Sequence, residues 1–216
     1  FGLTAGIQSL DPAEVATRLD RVAAGNAYVN RPTTGAIVRR QPFGGWKRSS
    51  VGPTAKAGGP NYVLTLGRWS GSLDGAAASF ATWWADELAV GHDPSGLRAE
   101  TNVLRYRPYR HGVLLRVGAG VTEREVEVAL LAATTVGTAA VVSRHDDEDD
   151  AALASRLPGL GVDKVRLLGE CSDELRLAGV VVDDSAVVGH GRIELLRWVR
   201  EQAISETRHR YGNLRA

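Results

Sequence analysis

Apolar and polar positions along this 216-residue chain fall into three regimes: a strand–helix–strand opening, a stretch without period, and a longer alternation of strands and helices. The opening Phe1-Gly-Leu-Thr-Ala-Gly-Ile-Gln8 has the short apolar run of a strand. Asp11-Pro12-Ala13-Glu14 then starts a helix. Asp at the N-cap, Pro at the first helical position and Glu in the first turn satisfy orphan backbone donors and oppose the helix dipole. Val15, Leu19 and Val22 share one face. Gly25 with Asn26 is expected to close the helix, since both tolerate positive φ, and Ala27-Tyr28-Val29-Asn30 begins a second strand. Strand, helix and strand within about thirty residues match one right-handed crossover.

From Arg31 to Gly59 the period vanishes and Gly and Pro dominate. Loops this long inside a compact domain are functional or disordered, and Ile37, Val38, Phe43, Trp46 and Val51 argue against disorder. Gly and Ser cluster in Leu66–Leu73, the expected linker. A helix over about Leu73–Val90 puts Phe80, Trp84 and Leu88 on one stripe with Trp83 beside it, a core-packing pattern. Asn102–Arg110 alternates apolar and basic residues as an edge or flap strand would, with Pro108 suited to an edge. Strands are then predicted at Gly112–Val117, Ala139–Ser143, Lys164–Leu168 and Val180–Val182. Helices are predicted at Thr122–Thr134, opened by the capping box Thr122-x-x-Glu125, at about Asp149–Leu157, and finally at about Arg192–Arg208. Such alternation predicts an α/β fold with a mostly parallel, Rossmann-like sheet covered on both faces.

Composition narrows the function classes. A formal charge of +1 from interspersed acidic and basic residues gives no field to recruit nucleic acid or anionic lipid. No run approaches a membrane span and no secretory leader opens the chain, so a cytoplasmic site follows by default. One cysteine, Cys171, makes no internal disulfide and falls short of a thiolate zinc cluster. The chain starts at Phe1 and contains no Met, which we read as a fragment.

Candidate chemistry is sparse. Gly118-Ala119-Gly120 lies between a predicted strand and helix, where a dinucleotide fingerprint would sit, but Glu123 replaces the third glycine and would repel a pyrophosphate. His145-Asp-Asp-Glu-Asp-Asp150 has the composition of a solvated helix N-terminus more than of a metal site. Glu170 and Asp173 flank Cys171 and disfavour a thiolate. The informative segment is Val29–Ser49 with Lys56–Tyr62. There Thr34-Gly35-Ala36 is a small-residue turn whose amides can grip a carboxylate, and Phe43 before Gly44 and Gly45 offers an aromatic wall, together a candidate small-anion pocket.

Five motifs in order carry a resemblance: Gly2-Leu-Thr-Ala-Gly-Ile7, Gly25-Asn-Ala-Tyr-Val-Asn30, Thr34-Gly-Ala-Ile-Val38, Gln41-Pro-Phe-Gly-Gly45 and Lys56-Ala-Gly-Gly-Pro60. Residues 1–69 resemble the C-terminal end of an aldehyde dehydrogenase catalytic domain of the pyrroline-5-carboxylate (glutamate semialdehyde) dehydrogenase branch, with an anchor loop at 31–59. Glu100–Pro108 and Ile204–Asn213 make residues 70–216 similar to the noncatalytic domain that follows the dehydrogenase in bifunctional proline utilization A proteins.

The resemblance implies a parent that oxidises glutamate semialdehyde with NAD. A thiolate attacks the aldehyde, hydride passes to the nicotinamide, and a Glu-activated water frees glutamate. It assigns Gly35 and Ala36 to the substrate carboxylate and Phe43 to its aliphatic part, with Thr34 and Gly45 as supporting loop residues. It implies no catalytic, cofactor-binding or metal residue in this chain, because nucleophile, base and NAD site belong to an upstream dehydrogenase module. A proline dehydrogenase half with FAD upstream stays open. So does the alternative of a noncatalytic module that covers the dehydrogenase and retains the intermediate. The first strands leave an edge on which another copy can pair, a homo-oligomer that truncation would explain.

Overall fold

In the computed structural model, which describes residues 1–50, 55–210 and 213–214, the first crossover forms as its pattern demands. Strand β1 (Thr4–Ile7) pairs in parallel with β2 (Asn26–Val29), in register Thr4 with Asn26 through Ile7 with Val29. Helix α1 (Pro12–Arg21) joins them, and the Asp11 carboxylate accepts from the Ala13 N–H at 2.8 Å. Its stripe of Val15, Leu19 and Val22 packs on Ala27, Val29 and Ile204. The helix stops one turn earlier than Gly25 and Asn26 suggested: Val22 is extended and its N–H donates to the Arg18 carbonyl. Gly25 is a glycine for a different reason, since a Cβ there would lie 2.0 Å from the Gly44 carbonyl oxygen.

The chain folds as two units, one of Phe1–Leu66, Val90–Arg107 and Arg200–Ala216, the other of Gly67–Ala89 and Pro108–Val199. This division differs from the expected segments 1–69 and 70–216. The first crossing falls in the expected linker, but β3 (Glu100–Pro108) and β8 (Val199–Thr207) return to complete the sheet that β1 and β2 begin, in the order β1-β2-β8-β3. The Asn102–Arg110 strand is thus an edge, as its Pro suited.

Strand β8 overturns the predicted final helix. Only Gly191–Glu194 (α6) and a tight turn to Trp198 are helical, and the next nine residues are extended. Residues 199–205 are buried, so the strand shows no in–out alternation. Its polar side chains find partners distant in sequence: Gln202 accepts from Arg105 Nε at 2.8 Å and donates to the Ala24 carbonyl at 2.9 Å, and the Arg200 guanidinium lies 4.4 Å from the Trp46 ring. Such a strand is stabilised by non-local pairing, which local periodicity does not carry. A two-stranded hairpin, β9 (His209–Arg210) with β10 (Asn213–Leu214), follows.

The second unit is a four-stranded, wholly parallel sheet of order β5-β4-β6-β7, built from β4 (Val113–Val117), β5 (Ala140–Arg144), β6 (Lys164–Leu168) and β7 (Val182–Asp183). Crossovers α3 (Glu123–Val136), α4 (Asp150–Leu160) and α5 (Asp173–Leu177) link them. The Thr122–Glu125 capping box forms, and Asp149 caps α4 by accepting from Ala152 N–H at 2.8 Å. Helix α4 runs through Pro158, past the predicted end at Leu157, to Gly161 at φ +65°. Helix α2 (Ala76–Trp83) widens into a π turn at Trp84–Leu88, with Phe80 and Leu88 buried and Trp84 half-buried. Leu114, Leu153, Leu157, Val165, Leu167 and Leu175 form the core. Buried charges interrupt it: Arg116 meets Asp150 and the Ser143 hydroxyl, and Arg166 meets Glu194 at 3.2 Å with neither side chain exposed. Among the described residues no helix is long and apolar enough to cross a membrane.

Candidate functional site

The stretch after β2 is ordered by hydrogen bonds rather than by periodic packing. Asn30 turns the chain at φ +54°, its side chain exchanging two 2.8 Å bonds with the Ser9 backbone. Gly35 follows at φ +129°, a region that favours glycine, and a Cβ there would meet Gln41 Oε1 at 2.5 Å. The Gly35 carbonyl accepts from the buried Tyr28 hydroxyl at 3.0 Å, and burial pushes that phenol's pKa up so that it stays a donor. With its carbonyl held, Gly35 has its amide spent on no described residue, and neither is the amide of the exposed Ala36.

Downstream the loop folds back on itself. Ile37 and Gln41 exchange backbone bonds of 3.1 and 2.7 Å around Arg39 at φ +64°, and the Arg39 N–H donates to the Gly58 carbonyl. Phe43 and Ala57 exchange two bonds of 3.0 Å, clasping residues 55–59 to 39–44. Asn26 on β2 accepts from the Gly44 N–H at 3.1 Å and donates to the Pro42 carbonyl at 3.0 Å. Of the five expected residues, Thr34 and Ala36 are exposed, Gly35 and Phe43 half-buried, and Gly45 buried. A Cβ on Gly45 would collide with the Ser49 carbonyl at 2.3 Å, so this glycine packs the loop. Val51, also expected in the loop, lies outside the described residues.

Charge favours an anion beside the turn. Arg31 and Arg40 both pair with Glu100, the first at 2.9 Å, leaving one net positive charge. Burial by itself would raise the Glu100 carboxyl; the Asn102 amide and the two guanidiniums outweigh it and hold the pKa below the ordinary value. The Arg31 Nη2 atom lies 3.8 Å from the Cβ position of Gly35.

Beneath the clasp is a cluster that local patterns did not single out. Lys56 is 1% exposed, with Nζ donating to Asn26 Oδ1 at 3.2 Å and to the Gly44 carbonyl at 2.5 Å. Burial lowers its pKa to about 8 against the opposing pull of Glu201. Glu201, on β8, is buried too. Sequence exposed Lys56 only as a motif residue; the carboxylate across from it lies 145 positions later.

The second unit offers no such turn. At Gly118–Gly120 the Gly118 amide is spent on the Leu168 carbonyl at 2.8 Å, and Glu123 and Glu125 occupy the first turn of α3. A pyrophosphate would meet carboxylates there, so these residues do not fit NAD. Cys171 borders a cavity of about 700 Å³ with Trp69, Glu170 and Arg176. Burial, joined by Asp184, Asp150 and Asp173, raises its thiol pKa against the Arg176 charge. The acidic run is spent on structure, with Glu148 accepting from the Ser143 hydroxyl and pairing with Arg156.

Residues 1–66 match the aldehyde dehydrogenase family. The chain is 47% identical over 72 residues to the mitochondrial delta-1-pyrroline-5-carboxylate dehydrogenase of Mus musculus, covering 32% of this chain and 12% of that protein. It is 37% identical over 113 residues to the bifunctional protein PutA of Rhizobium meliloti, covering 49% of this chain and 8% of that one. The solved structure of Proline Utilization A from Corynebacterium freiburgense matches 99% of this chain with a TM-score of 0.80 at 40% identity, which is 24% of that chain. This chain thus spans about a tenth of the curated relatives it matches.

Proposed function

We propose, from the aldehyde dehydrogenase segment at residues 1–66, that this chain belongs to a longer protein that oxidises L-glutamate γ-semialdehyde, the open form of pyrroline-5-carboxylate, to glutamate in proline catabolism. On the resemblance of residues 1–66, the reacting thiolate and the NAD site belong to a segment outside this chain, and the Gly118–Gly120 segment, which does not fit NAD, is in keeping with that. The names of the PutA relatives favour a second enzymatic half, for which proline dehydrogenase with FAD is the proposal, in the cytoplasm.

Within that enzyme the part of this chain is orientation. The unspent Gly35 and Ala36 amides and the Arg31 charge receive the substrate's α-carboxylate, Phe43 lines its methylene chain, and Thr34 and Gly45 support the loop. Holding one end of a five-carbon substrate fixes where its aldehyde is presented, and such positioning is worth several kcal/mol of barrier. The reading is carried by Gly35 at φ +129°, where its amide and that of Ala36 have no partner among the described residues, beside an excess guanidinium. For the second unit, the spent Gly118 amide favours a noncatalytic role, as a cover that retains the intermediate.

The test is Gly35→Val in the longer enzyme. KM for glutamate semialdehyde should rise while kcat/KM for an aldehyde lacking the α-carboxylate holds. Equal losses on both substrates refute the anchor.

A further inference from the structure

We infer that Glu201 is a positioning residue for the clasped loop: a carboxylate delivered by β8 fixes residues 55–59, and through them the turn at residues 34–45. Glu201 lies outside residues 1–66, on the strand that replaces the expected final helix. The inference rests on the anchor reading for its functional consequence, though not for its structural one.

Three bonds converge on this residue. Glu201 Oε2 accepts from the Lys56 backbone N–H at 3.0 Å, Oε1 accepts from Asn61 Nδ2 at 2.9 Å, and the main-chain carbonyl accepts from Trp46 Nε1 at 2.8 Å. Lys56, Asn61, Trp46 and Glu201 are each at most 4% exposed, so water cannot replace a lost partner. From Lys56 the restraint runs two ways. Its backbone leads directly to Ala57, which is paired with Phe43, and its ammonium reaches Gly44 and Asn26. Register between β8 and β2, Asn26 opposite Ala203 and Tyr28 opposite Ser205, places the carboxylate along the same sheet that holds Asn26 and Tyr28, the two residues bonded to the loop at Gly44 and Gly35.

Both carboxylate oxygens are used. Lys56 N–H and Asn61 Nδ2 each find an acceptor on one Glu201 oxygen; a leucine offers neither, whereas a glutamine keeps an acceptor for Lys56 N–H and lets Asn61 turn its amide over, presenting Oδ1 to the new N–H and to the Tyr106 hydroxyl. The buried Lys56 ammonium supplies the compensating charge. Burial raises the Glu201 pKa, and Asn61, the Lys56 amide and the Lys56 charge act against that rise.

Hydrogen–deuterium exchange on this chain is the test. Glu201→Leu should speed exchange about tenfold or more at residues 36–45 and 55–59, the size set by one unpaired buried donor, while β1 and the second-unit sheet keep their protection. Glu201→Gln, in which the Asn61 amide can turn over to meet the new N–H, should keep the loop close to its original protection. Unchanged loop exchange in Glu201→Leu overturns the inference, as does a uniform rise through β1, β2 and α1, which would make Glu201 a general stabiliser. In the longer enzyme the same variant should raise KM for glutamate semialdehyde about tenfold and spare kcat/KM for an aldehyde without the carboxylate. Faster loop exchange with equal losses on both aldehydes would leave the positioning role standing and remove the carboxylate-anchor reading.

Discussion

Lys56 should titrate near neutrality, and its charge should cost the folded state measurable stability. The side chain is 1% exposed and its pKa falls from 10.5 to about 8, because burial removes the hydration of the ammonium and Glu201 offsets only part of the loss. Each tenfold change in proton affinity is worth about 1.4 kcal/mol, so the protonated form carries a penalty of about 3 kcal/mol in the fold. Between pH 8 and the unfolded value near 10.5 the unfolded chain binds more protons than the folded one, so this group makes stability rise with pH across that window. Below pH 8 the penalty is fully present. Urea unfolding of wild type and Lys56→Met as a function of pH isolates the effect. Met also removes the bonds to Asn26 and Gly44, which gives an offset, but the pH-dependent part of the difference should amount to about 3 kcal/mol in favour of wild type from pH 7 to 10.5. With three lysines in the chain, NMR of labelled side chains can follow each. A stability difference that does not vary with pH, or no lysine signal with a midpoint near 8, refutes the reasoning.

Gly25→Ala should destabilise the first unit by roughly 2 kcal/mol or more, because its Cβ would lie 2.0 Å from the Gly44 oxygen while its own N–H and carbonyl are held by Gly2 and Ala203; an unchanged denaturation midpoint contradicts this. Glu194→Ala should cost the second unit about 3–5 kcal/mol, the range for a buried pair broken on one side, since Arg166, the Trp198 indole and the Val188 amide lose their acceptor. A loss under about 1 kcal/mol in urea would show the cluster to be slack. Cys171 should react with thiol-labelling reagents more slowly than a free cysteine at pH 7.5, because its raised pKa leaves less thiolate; equal or faster labelling counts against that environment.

Much of the framework was legible because its signals are local. Asp11-Pro12, the Thr122–Glu125 box and the apolar runs at 113–117 and 164–168 act within one or two turns of their own backbone, and the structure has them where the pattern put them. Helix α4 continues past its expected end near Leu157 because its stop is Gly161 at φ +65°, a left-handed cap, even though Pro158 gives up one helical N–H. Gly25 misled because its need for a bare Cα comes from Gly44, a neighbour only in space.

Sequence by itself determined the α/β class, the caps and the motifs of the first sixty residues that match the aldehyde dehydrogenase family, since each depends on residues adjacent along the chain. Tertiary structure decided that residues 199–207 are a strand and that Asn26, Lys56, Asn61 and Glu201 meet beneath the loop. A buried polar strand has no period to betray it, and a charge can be buried only where folding brings its partner, here 145 residues away.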